Sequence, residues 1–145
     1  MDPVAEILQQ LTDRGIPCCR AMPNIRQPLL SEPTVFAEVL ETSLEPGFAG
    51  NFMYFDEENQ SCHGVKADTT LFFDIYSPYR MGAPACVEMR DRVRDVLMGC
   101  FDRYTVRNMT CSSCSYNPKS DYFRCRITLK LETWFSIEGR GGETA

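Results

Sequence analysis

From residue 65 to residue 76 the chain reads Val-Lys-Ala-Asp-Thr-Thr-Leu-Phe-Phe-Asp-Ile-Tyr, and side chains of opposite character alternate along it. Val65, Ala67, Leu71, Phe73 and Ile75 share one parity, while Lys66, Asp68 and Asp74 share the other. Successive strand residues point to opposite faces, so this is a strand with one dry face and one wet face. The same period returns over 122–137, where Phe123, Cys125, Ile127, Leu129 and Leu131 oppose Arg124, Arg126, Thr128, Lys130 and Glu132. Strands of this kind belong in an antiparallel sheet that is covered on one side. The dry side needs an apolar layer from elsewhere in the chain.

Two helices supply that layer. Asp2 caps the first, Pro3 suits its first turn, and Val4, Ile7, Leu8 and Leu11 recur at helical spacing up to a stop at Gly15. The second begins near Ala83-Pro84 and carries the stripe Cys86, Met89, Val93, Val96, Leu97 and Cys100. A short extended stretch is expected over 16–22, a strand over 34–44 that ends at Pro46-Gly47, and another over 104–110. The segment 48–64 reads either as a hairpin through Phe52, Met53, Tyr54 and Phe55 or as a loop tipped by Asp56-Glu57-Glu58. The expected fold is α+β, a mainly antiparallel sheet with two helices packed on one face, in the order α-β-β-β-α-β-β. At 145 residues the chain suits a single domain over 1–138 with a loose tail over 139–145.

The residues for catalysis are sparse. His63 is the only histidine, and neighbouring Cys62 points away from it in extended chain, so the pair forms no nucleophile–base dyad by itself. Cys111-Ser-Ser-Cys114 has the spacing of half a zinc site, but no second Cys-x-x-Cys or His-x-x-x-His completes it. Ordinary thiols in a turn are the expectation, with Cys111 and Cys114 the candidate ligands of a small cysteine-dependent zinc-binding module as the alternative. The other six cysteines are Cys18, Cys19, Cys62, Cys86, Cys100 and Cys125. Three of them fall on apolar stripes, where a free thiol behaves as a small hydrophobe. No catalytic residue and no cofactor are expected.

Charge narrows the partners. Lys and Arg total 15 against 20 Asp and Glu, a net charge of -5, which disfavours specific nucleic-acid binding. No apolar run approaches the roughly 20 residues that span a bilayer, and Met1-Asp2-Pro3 opens no signal peptide, so no membrane partner is expected. Arg124, Arg126 and Lys130 form a basic row on the wet face of the last strand, with Arg103 and Arg107 near it. Asp68, Asp74 and Glu132 are the acids available to pair with that row, within the sheet or across a subunit boundary.

The run Asp68-Thr-Thr-Leu-Phe-Phe-Asp-Ile-Tyr76, followed by Ser77-Pro78-Tyr79-Arg80-Met81-Gly82-Ala83, the helix over 86–99 and the long strand over 123–135, resembles the tail terminator (tail completion) proteins of long-tailed bacteriophages and prophages. The resemblance spans about residues 4–137. It implies a structural virion protein and no enzyme: a homo-oligomeric ring, a hexamer in that family, that sits on the tail tube protein and ends tube polymerisation. The same ring would form the joining surface for head-completion (neck) proteins, in a virion tail assembled in the host bacterial cytoplasm. A neck or other minor tail protein of the same assembly is the alternative. Phe52, Met53, Tyr54, Phe55, Arg124, Arg126 and Lys130 are the expected interface residues.

Overall fold

The computed structural model describes residues 2–21, 30–44, 51–55, 57, 58, 61–100 and 102–136, with 51–55, 61–65 and 134–136 as backbone. Helix α1 (Pro3–Asp13) starts where the Asp2 carboxylate accepts the Val4 and Ala5 N–H groups at 3.1 and 3.3 Å. It stops at Gly15, whose φ of 77° only glycine adopts at little cost. Ile16 N–H then donates back to the Leu11 carbonyl at 3.0 Å, and Gly15 N–H to Thr12 at 2.9 Å. Both Leu11 and Ile16 are buried, so the cap also turns the chain into the core.

The strands are β1 (Cys18–Arg20), β2 (Thr34–Leu44), β3 (Asn51–Phe55), β4 (Ser61–Pro78), β5 (Thr105–Cys111), β6 (Ser115–Asn117) and β7 (Tyr122–Ser136), with α2 (Gly82–Met98) between β4 and β5. They form one sheet in the order β1-β2-β4-β7-β5, with β3 added to β4 and β6 to β7. Every pairing is antiparallel except β1 with β2. This is the expected α+β fold. Strand β3 takes the hairpin reading of segment 48–64, and the addition is the short strand β6.

The centre is the β4–β7 ladder, paired without a register shift from Gly64↔Ser136 to Pro78↔Tyr122. Its constant register holds Leu71, Phe73 and Ile75 beside Leu129, Ile127 and Cys125 on one face. Val4, Ile7 and Leu11 of α1 and Cys86, Met89, Val93, Val96 and Leu97 of α2 close over that face, and all belong to one buried cluster. At about 3.4 Å per residue, β4 runs about twice the length of α2 at 1.5 Å per residue, so the sheet extends beyond its helical cover. That overhang is where β3 pairs with residues 61–64 of β4. No helix among the described residues is long and apolar enough to cross a membrane.

Segment 51–55 is thus the first strand of a hairpin, and His63, expected on a loop, lies on β4 opposite Phe52. The tail at 139–145 lies outside the described residues.

Arg20 ties the parallel edge together. Its guanidinium donates to Glu38 at 2.6 and 3.1 Å and to Asp2 at 2.5 Å, joining β1 to β2 and to the start of α1. These hydrogen bonds hold the Asp2 and Glu38 carboxyls below their ordinary values. A carboxyl lowered by folding stabilises above its unfolded pKa and loses that contribution as pH falls through the folded value. Arg20→Gln is therefore expected to destabilise the protein at neutral pH, with the difference from wild type shrinking as pH falls below the ordinary carboxylate range; urea titrations across pH measure this. Phe73→Ala should lower stability by about 3–5 kcal/mol in the same assay, against under about 0.5 for exposed Glu88→Ala.

Candidate interaction surface

The face of the sheet away from the helices carries the other parity of each strand. Phe36 and Glu38 come from β2, Phe72, Asp74 and Tyr76 from β4, and Arg124, Arg126 and Thr128 from β7. Register sets them side by side: Phe36 beside Asp74 beside Arg126, and Glu38 beside Phe72 beside Thr128. Sequence reading assigned the charges of this face but missed its aromatic residues. Phe72 and Tyr76 have the parity of Asp74, and counting from Asp74 in steps of two would have found them. The adjacency of Phe72 to core residue Phe73 hid the first.

Asp74 is the hub. It is 5% exposed, and an isolated carboxylate so placed would be strongly disfavoured. Arg126 answers it with two bonds, Nε to Oδ1 at 2.6 Å and a terminal nitrogen to Oδ2 at 2.9 Å. Arg124 adds a third to Oδ2 at 3.2 Å. Two parallel bonds from one planar group fix orientation as well as charge. The Arg126 guanidinium also lies 4.5 Å from the centre of the Phe72 ring, and that of Arg124 5.8 Å from Tyr76. Arg124 Nε is buried with no acceptor, so this second tie is the looser one. The hydrogen bond to Asp74 raises the Arg126 pKa further, and burial pushes the Tyr76 phenol up.

The aromatic rings continue the face. Phe36 meets Tyr76 edge-on at 5.6 Å and Tyr76 meets Tyr122 edge-on at 6.1 Å. The Tyr122 hydroxyl accepts the Leu30 N–H at 3.0 Å. Toward the overhang, Arg107 sits at a β5 bulge and reaches Asp68 at 2.8 Å and Glu132 at 2.9 Å, while Lys66 lies 3.4 Å from Glu132.

The basic row is therefore mostly matched within the sheet. Arg124 and Arg126 belong to Asp74, Arg107 to Asp68 and Glu132, and Arg103 lies 3.9 Å from Glu6 on α1. Lys130 is exposed and has no ion pair among the described residues. The side chains of Phe52, Met53, Tyr54, Phe55 and His63 lie outside the described residues. Cys111 ends β5 and is exposed, and Cys114 is half-buried before β6. Among the described residues no group of three or more His, Cys, Asp or Glu side chains is placed to hold a metal ion.

On the helix side, a groove of about 690 Å³ runs past Pro3, Val39, Thr42, Thr69, Tyr104 and Thr133. Asp2, Arg103 and Glu132 also line it; Thr69 meets Thr133 at 3.2 Å, and the Tyr104 hydroxyl donates to Glu6 at 2.5 Å. Neither histidine nor cysteine lines it. The open face offers rings and guanidinium groups held in place. No protein-family model matches the chain, and no curated protein matches it.

Asp74→Asn is expected to lower stability by about 1–3 kcal/mol, because two guanidinium groups lose the carboxylate they share. A double-mutant cycle with Arg126→Gln should return a coupling of about 1 kcal/mol or more. The more exposed Arg107–Asp68 pair should give less.

Proposed function

We propose that this chain is a structural assembly protein that works through its open sheet face, as a phage tail terminator would. The observation that carries this reading is the row Phe72, Tyr76, Arg124 and Arg126, half-buried on the open face and held beside buried Phe36 and Asp74. Aromatic residues and arginine are the types enriched at the centres of protein interfaces. Holding them in place beforehand reduces the ordering entropy that docking would otherwise cost.

In this reading a neighbouring copy packs against the open face, and the contact joins two different surfaces, as a ring requires. One side of the ring complements the last ring of the tube. The other differs enough from a tube ring that no further tube subunit adds, so length control comes from rejecting a partner at one surface. That outer side is then free for a head-completion protein. The resemblance of the run from Asp68 to Ala83 supports the phage assignment. The overhang of β3, β4 and β7 beyond the helices supports contact with a neighbour.

Thr128 tests the reading because it lies half-buried on the face without belonging to the Asp74 network. Native mass spectrometry over a concentration series is expected to find a closed oligomer for wild type and mainly monomer for Thr128→Arg, with melting temperatures within a few degrees. The same oligomer in both proteins would discard the open face as the contact.

A further inference from the structure

Behind the sheet, three thiols meet at the start of α2. Cys86 and Cys125 are fully buried, and their sulfurs are 3.6 Å apart. The register that pairs Ile75 with Cys125 places both beneath the helix: the Cys86 thiol lies 3.7 Å from the Ile75 carbonyl, and Cys125 Sγ lies 3.9 Å from the Cys86 carbonyl. Half-buried Cys114 packs against the same hydrophobic core, near enough to Cys86 to act on its ionisation, and is the solvent-side member of the trio.

We propose that Cys86 and Cys125 form a reversible internal disulfide, and that Cys114 is the thiol through which a low-molecular-weight disulfide delivers the oxidation. A disulfide needs its sulfurs about 2 Å apart, and these two start in contact at 3.6 Å. In the first exchange the Cys114 thiolate attacks one sulfur of the reagent, whose S–S bond breaks and whose other half leaves as a thiol. Cys86 next attacks the Cys114 sulfur and displaces the second reagent thiol. Cys125 then attacks Cys86 and releases Cys114 as a free thiol. Two protein thiols are oxidised, one reagent disulfide is reduced to two thiols, and the protons of Cys86 and Cys125 end on those products.

The hydrogen bond from Cys86 and the nearby Arg90 guanidinium lower the Cys125 pKa against its burial, while Cys125 and burial together push Cys86 up. In the reduced pair Cys125 is therefore the readier thiolate, and the attack of Cys86 on the Cys114 sulfur is the slow exchange. The link would staple α2 to β7 across a long loop, which stabilises mainly by restricting the unfolded chain.

The test treats the folded protein, in a Cys19→Ser, Cys111→Ser background to remove exposed thiols, with excess oxidised glutathione. Intact mass should fall by two hydrogen atoms, and peptide mapping should place the link between Cys86 and Cys125. Melting temperature should rise by on the order of 10 °C and return on reduction. Cys114→Ser should slow formation by about tenfold or more without changing the final link. A stable adduct or a link on Cys114 as the end product, no link in the folded chain, or an unchanged rate in Cys114→Ser would each overturn the proposal.

Discussion

The unbroken β4–β7 ladder is the constraint from which the rest of the architecture follows. Side chains alternate along each strand, and the two strands stay in step from Gly64↔Ser136 to Pro78↔Tyr122. One residue of slip by β7 would put Ile127 and Leu129 in water and Arg126 beneath the helices, away from Asp74. Apolar burial on one side and charge matching on the other both select the same register. The helices need only present apolar stripes to a surface already in place, and the register shifts fall at Leu40, Met53 and Arg107, in the strands that flank the ladder.

The open face has unusual chemistry for a surface exposed to water. Its charges sit between aromatic rings, and Asp74 is almost completely covered although no helix lies over it. The cover comes from Arg126 over Phe72, Arg124 over Tyr76 and Phe36 alongside. A carboxylate in such a place is tolerable only with its hydrogen bonds made. Once made, they hold two arginines that would otherwise sweep through many rotamers. The resulting surface is rigid, apolar in part and charged in a fixed pattern, and those are the properties a selective protein contact needs.

Much of this was legible from residue order. Asp2 and Gly15 marked the ends of α1, and all six residues of the expected α2 stripe are buried. The strands at 65–76 and 122–137 announced their dry and wet faces. The hairpin at 51–64 was ambiguous because Phe-Met-Tyr-Phe has no alternation to read, so periodicity is silent there. Of the open face, Arg124 and Arg126 were visible as a row, but the aromatic half was not.

What the sequence by itself determined is which residues lie on which side of each strand and helix, because the periods of 2 and 3.6 are local properties of the backbone. The tertiary structure alone decided who stands beside whom. Asp74 and Arg126 are 52 positions apart, and Cys86 and Cys125 are 39. Nothing local links either pair, and only strand order and register bring the first together as a charge lock and the second as touching thiols.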